Sequence, residues 1–185
     1  MEALLFSTLA VAIAEIGDKT QLLSLVLAAR YRRPWAICLG ILVATLLNHA
    51  LAAAFGAVVA QWLSPNALRW IIGLGFLAVA AWTLVPDKLD DADALPVTGR
   101  SVFVATLIAF FIAEMGDKTQ VATVVLAAQY SPLWAVVTGT TIGMLLANVP
   151  VVFLGSQLAD RLPLRAARIT AAIVFAAMGL WILLR

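Results

Sequence analysis

Residues 14–85 align without a gap on residues 113–184, at a constant offset of 99. Tyr31 matches Tyr130, Trp35 matches Trp134, Gly40 matches Gly139, Gly56 matches Gly155, Arg69 matches Arg168 and Trp82 matches Trp181. Six hydrophobic segments run through the chain, at about 3–29, 35–63, 67–85, 101–128, 134–160 and 166–184. Each reaches the roughly 20 apolar residues that cross a bilayer. The longer ones imply tilt, breaks or helix ends beyond the lipid. The repeat thus holds three segments, and an odd number of crossings forces its two copies into opposite orientations. The expected fold class is all-α: a polytopic membrane protein of six transmembrane helices in two inverted three-helix repeats. Residues 1–85 form the first repeat, 86–100 an acidic linker and 101–185 the second repeat.

The composition agrees. Of 185 residues, 64% are apolar and 12% charged, with a mean hydropathy of +1.04. A soluble domain is nearer half apolar and a quarter charged, so too few polar residues remain here to clothe a water-facing surface. The one cysteine, Cys38, lies in an apolar stretch, so no intramolecular disulfide forms and the residue reads as packing. The N-terminal stretch lacks a basic n-region and carries acidic residues, so no cleavable signal peptide is expected, and a multi-pass place in a bacterial inner membrane is the simplest location.

Basic residues orient the chain. The loops after segments one, three and five hold Arg30, Arg32, Arg33, Lys88, Arg100, Arg161, Arg165 and Arg168, while the opposite side holds only Arg69 and Arg185. That asymmetry places those three loops in the cytoplasm and both termini in the periplasm. Asp87, Asp90, Asp91 and Asp93 crowd the linker. A solvated connection accounts for them; a weak cation-gathering patch at the cytoplasmic mouth is the sharper alternative.

The chemistry is concentrated in one short motif. Glu15-Ile-Gly-Asp-Lys-Thr-Gln21 returns as Glu114-Met-Gly-Asp-Lys-Thr-Gln120, in each case inside a membrane-length apolar segment. A charged side chain at membrane depth costs about 2.5–3.5 kcal/mol on insertion scales, and this chain carries three, twice. On a helix Glu15 and Asp18 share a face at i and i+3, with Lys19 on the same side. Gly17 is a place where the helix can loosen or a backbone can approach. Thr20 and Gln21 add neutral oxygens, and Thr119 and Gln120 do so in the second copy. Carboxylate, hydroxyl and amide oxygens suit hard divalent ions, and the residues common to both copies include no Cys or Met of a soft-metal site. The bland alternative is a pair of buried salt bridges, Glu15–Lys19 and Glu114–Lys118, but it leaves Asp18 and Asp117 without a counter-charge. Four carboxylates and two lysines sum to −2, the charge that one divalent cation or two protons neutralise.

Asn48 and His49 fall near the middle of the second segment, opposite Ala147 and Asn148 at the repeat offset. Asn48 and Asn148 either complete an oxygen shell or bond between helices. His49 reads as a packing or hydrogen-bonding residue, with proton relay open. Trp35, Trp62, Trp70 and Trp134 lie near segment ends as interface anchors.

With its two Glu-x-Gly-Asp-Lys/Arg-Thr/Ser motifs in a twice-three-span chain, the sequence resembles a family of small six-helix cation transporters. That family includes bacterial MneA-type manganese exporters and Golgi calcium/manganese transporters thought to exchange the metal for protons. The resemblance covers nearly the whole chain, and neither motif departs from the pattern. It implies that Glu15, Asp18, Glu114 and Asp117 handle the metal, and that Lys19, Thr20, Lys118 and Thr119 belong to the motif without assigned roles. The implied function is export of divalent cations, Mn²⁺ foremost, in exchange for H⁺; a Ca²⁺/H⁺ antiporter and a passive divalent-cation channel are the alternatives. Mn²⁺ or Ca²⁺ and H⁺ are cargo, and no cofactor is expected. The partners are the divalent cation and the lipid bilayer, with no nucleic acid; a homo-oligomer is compatible. The chain has no Ser/His/Asp set, no HExxH and no phosphate loop, so an enzyme is not expected.

Overall fold

Punctuation in the sequence becomes helix ends. Ser64 accepts a hydrogen bond at Oγ from the Ala67 amide at 3.3 Å, and Ser101 does the same for Val104, each satisfying an amide that a helix start leaves open. Pro34 and Pro65 sit in first turns, where their missing N–H costs nothing. The computed structural model describes residues 1–85, 101–155 and 164–185. Among them are eight helices and no strand: α1 Glu2–Ala14, α2 Lys19–Tyr31, α3 Pro34–Trp62, α4 Pro65–Thr83, α5 Val102–Glu114, α6 Lys118–Gln129, α7 Leu133–Leu154 and α8 Leu164–Leu184. The acidic linker with Asp87, Asp90, Asp91 and Asp93, the end of the fifth segment at 156–160, and Arg161 lie outside the described residues.

Among the described residues, four helices are long and apolar enough to cross a membrane: Pro34–Trp62, Pro65–Thr83, Leu133–Leu154 and Arg165–Leu184. The other two predicted segments, 3–29 and 101–128, are each divided into two shorter helices. The expectation that Glu15 and Asp18 share one helical face is therefore corrected. Helix α1 ends at Ala14 with Glu15 as its C-cap, and α2 restarts after Asp18, its N-cap. The reason is local: Gly17 and Gly116 take φ of 82° and 73°, a left-handed conformation open to glycine and strained for other residues.

The exterior is apolar, and the interior mixes an apolar core with buried polar residues. Ser7, Thr45, Thr106, Thr140 and Asn148 are buried, while Leu9, Leu51, Phe55, Leu74 and Ile173 are exposed on the outside. Water would penalise such a surface, whereas hydrocarbon does not. Trp35, Trp62, Trp70 and Trp134 are exposed near helix ends, where interfacial anchors sit.

Packing recurs when the two halves are exchanged. Helix α1 packs on α7 as α5 packs on α3, and α4 pairs with α8. A Cβ on Gly40 would meet Thr106 Cβ at 2.7 Å and the Phe103 carbonyl at 3.0 Å; one on Gly139 would meet Ser7 Cβ at 3.0 Å and the Leu4 carbonyl at 2.6 Å. These are the same contacts shifted by the repeat offset, and only a missing side chain lets the backbones come so close. Phe76 and Phe175, repeat mates of each other, stack with ring centroids 6.2 Å apart.

Candidate metal centre

Each helix break leaves backbone groups without intrahelical partners, and the motif supplies them. Gln21 Oε1 accepts from the Gly17 amide at 2.8 Å, and Gln120 Oε1 accepts from the Gly116 amide at 2.7 Å. The other ends of these side chains reach across the molecule. Gln21 Nε2 donates to the Ala147 carbonyl at 2.8 Å, and Gln120 Nε2 donates to Asn48 Oδ1 at 3.4 Å. Ala147 and Asn48 are repeat equivalents, so both breaks are braced in the same way against the long helix of the opposite half. Asn48 Nδ2 donates to the Phe111 carbonyl at 3.1 Å, Ser24 Oγ donates to Asn148 Oδ1 at 2.8 Å, and Asn148 Nδ2 donates to the Met144 carbonyl at 3.1 Å. Gln21, Gln120, Asn48 and Asn148 thus form the frame around the breaks.

The frame brings the two motifs together. One carboxylate oxygen each from Glu15, Glu114 and Asp117 lie within 4.8 Å of one another, in a group in which all three residues are buried. Thr20 Oγ1 donates to Glu15 Oε2 at 2.6 Å and Thr119 Oγ1 donates to Glu114 Oε2 at 3.1 Å. Each glutamate keeps its other oxygen, Oε1, buried and without a hydrogen-bond donor among the described residues. Buried carboxylate oxygens left open in this way are expensive, and a hard cation is a partner they fit.

The lysines cross over. Lys118 Nζ pairs with Asp18 Oδ1, and Lys19 Nζ lies 3.6 Å from Asp117 Oδ1. Each ammonium serves the aspartate of the other motif. The within-motif Glu–Lys pairs that helical spacing suggests are replaced because the break removes the i, i+4 relation. The cross-pairs neutralise two of four negative charges, and the remainder is −2. The two halves differ in exposure: Lys118 is buried, whereas the Lys19 side chain is 19% exposed. The N-termini of α2 and α6 open at Asp18 and Asp117, so their positive dipole ends face the acidic cluster.

His49, expected from the sequence as a packing or hydrogen-bonding residue with proton relay open, lies beside the cluster. His49, wholly buried on α3, places Nε2 3.9 Å from Glu114 Oε2. Its place near the middle of an apolar segment is the signal the sequence carries, and helical spacing alone does not say which neighbour meets the opposite half.

A family described as "Divalent cation/proton antiporter GDT1" matches residues 3–91 and 102–185. A Vibrio cholerae protein named "Putative manganese exporter" is 54% identical over 181 residues, covering 97% of this chain and 90% of its own. A GDT1-like protein of Synechocystis is 26% identical, covering 90% and 89% respectively. GDT1-like protein 3 of Oryza sativa is 26% identical across 94% of this chain and 71% of its own. No solved structure matches the chain significantly.

Proposed function

The chain belongs to the GDT1 family of divalent cation/proton antiporters, and on that premise we propose that it exports Mn²⁺ across a bacterial inner membrane in exchange for H⁺. One observation carries this reading: two motifs 99 residues apart meet in a single buried cluster with open carboxylate oxygens, whose formal charge with all carboxylates ionised is −2. Glu15, Glu114 and Asp117 take the ion. Asp18, Thr20 and Thr119 complete or hold its surroundings, and Gln21, Gln120, Asn48 and Asn148 brace the frame.

The name of the Vibrio relative favours Mn²⁺, and oxygen donors suit Mn²⁺. The exchange follows from charge. Moving a −2 cluster through a low-dielectric barrier is costly. One M²⁺ or two H⁺ neutralises it, so the two cargoes compete and take turns.

The same reading extends to architecture. Helices α1–α2 and α5–α6 serve as broken spans, which with α3, α4, α7 and α8 make six crossings. Residues 1–85 and 101–185 are inverted units joined by 86–100, with termini in the periplasm. The exchange-related contacts at Gly40 and Gly139 and the Phe76–Phe175 stack support an axis between the units. Rocking one unit against the other would expose the cluster to each side in turn. The full burial of Glu15 and Glu114 favours such occlusion over a water-filled channel.

Flux measurements test this. In proteoliposomes with an acidic lumen, Mn²⁺ uptake should accelerate several-fold over the same vesicles without a gradient, and the lumen should become more alkaline as Mn²⁺ enters. Ca²⁺ offered at equal concentration should compete less well. Mn²⁺ uptake of equal rate with and without the gradient, and no proton movement, would identify a channel or uniporter instead.

A further inference from the structure

His49 has no histidine counterpart in the other half. Its repeat equivalent is Asn148, which is fully engaged: Oδ1 accepts from Ser24 Oγ, and Nδ2 donates to the Met144 carbonyl. His49 is equally buried, yet neither Nδ1 nor Nε2 has a hydrogen-bond partner among the described residues. An imidazole in a closed interior ordinarily satisfies both nitrogens, and an unmet one asks what it faces. The nitrogen faces the edge of the carboxylate cluster: Nε2 is 3.9 Å from Glu114 Oε2, just outside the group that Glu114 forms with Glu15 and Asp117. With metal–ligand bonds of about 2.0–2.6 Å, two ligand atoms on one ion stand roughly 3 to 5 Å apart. The pair has the spacing of co-ligands.

We propose that His49 Nε2 is a ligand of the transported ion and the residue that ranks Mn²⁺ above Ca²⁺ and Mg²⁺ at this site. The proposal rests on the reading that the carboxylate cluster binds the cargo. Carboxylates alone discriminate poorly among hard divalent ions, since all three accept oxygen. A nitrogen donor breaks the tie, because imidazole binds first-row transition ions and adds little for Ca²⁺ or Mg²⁺. Placing it on one half only also makes the site asymmetric, with nitrogen presented from α3 beside Glu114 and oxygen alone beside Glu15.

The chain holds one histidine, so a magnetic measurement is unambiguous. Purified protein with any affinity tag removed is loaded with Mn²⁺ and examined by pulsed electron paramagnetic resonance for imidazole ¹⁴N coupling. The wild type should show it, and His49→Gln should lose it. In the same preparations Mn²⁺ affinity should fall about tenfold in His49→Gln, while Ca²⁺ and Mg²⁺ affinities change less than twofold. Bound Mn²⁺ without nitrogen coupling in the wild type would overturn the assignment and leave the carboxylate site standing. Equal losses for Mn²⁺ and Ca²⁺ would overturn the selectivity role. A wild type that binds no Mn²⁺ would bring down the carboxylate site as well.

Discussion

Replacing Glu15 and Glu114 together by Gln should weaken Mn²⁺ binding by about 100-fold or more, roughly 2.7 kcal/mol. The two side chains supply the open, buried oxygens at the centre of the cluster. Gln keeps their shape and their ability to accept from Thr20 and Thr119, but removes two negative charges. The altered cluster has no net charge to set against a divalent ion, and an amide oxygen is a poorer ligand than a carboxylate. Stability should move the other way. Glu15 and Glu114 press like charges together in a low-dielectric interior, so the double variant should melt at or above the wild-type temperature. Calorimetric titration and thermal unfolding in the same detergent check both halves. A variant that binds within threefold of wild type would remove these residues from the site.

The cross-pairs make a second, opposite prediction. Lys118 and Asp18 are both buried and directly paired. Truncating one member of a buried ion pair costs about 3–5 kcal/mol, whereas exchanging both for apolar or neutral groups of similar volume is often neutral. Lys118→Met should therefore destabilise the protein by about 3–5 kcal/mol. The double change Lys118→Met with Asp18→Asn should recover most of that loss. Lys19→Met should cost less, because Lys19 is partly exposed and its partner is 3.6 Å away. Thermal unfolding of the four variants of the Lys118–Asp18 cycle provides the measurement. Equal melting of wild type and Lys118→Met would show that the pair contributes nothing to stability.

Much of this arrangement was legible in the chain. The ungapped repeat sets Glu15 opposite Glu114 and Asp18 opposite Asp117, and leads one to expect all four to converge; Glu15, Glu114 and Asp117 form one group, while Asp18 pairs with Lys118. The break was only half legible. Gly17 marked where a helix can loosen, but segment 3–29 is apolar over most of its length, and hydrophobicity alone cannot say where such a helix stops. The left-handed glycines and the glutamine side chains that replace the lost backbone bonds decide it. The crossing of Lys19 and Lys118 was not legible, since sequence spacing pointed each to its own glutamate. Pairing across 98 or 100 positions is set by how α2 and α6 meet, which is a property of packing. His49 was hidden for the same reason: a side chain on α3 gains meaning only once α5 lies against it.

In the proposed exchange, one cluster of formal charge −2 is shared in turn by one Mn²⁺ and protons. The most direct test is a proton count during Mn²⁺ binding to purified protein in weakly buffered solution, repeated from acidic to alkaline pH. Between one and two H⁺ should be released per Mn²⁺ at the acidic end, shrinking as pH rises, with Mn²⁺ affinity climbing in step. No proton release at any pH, with an affinity that stays flat across the range, would contradict the exchange.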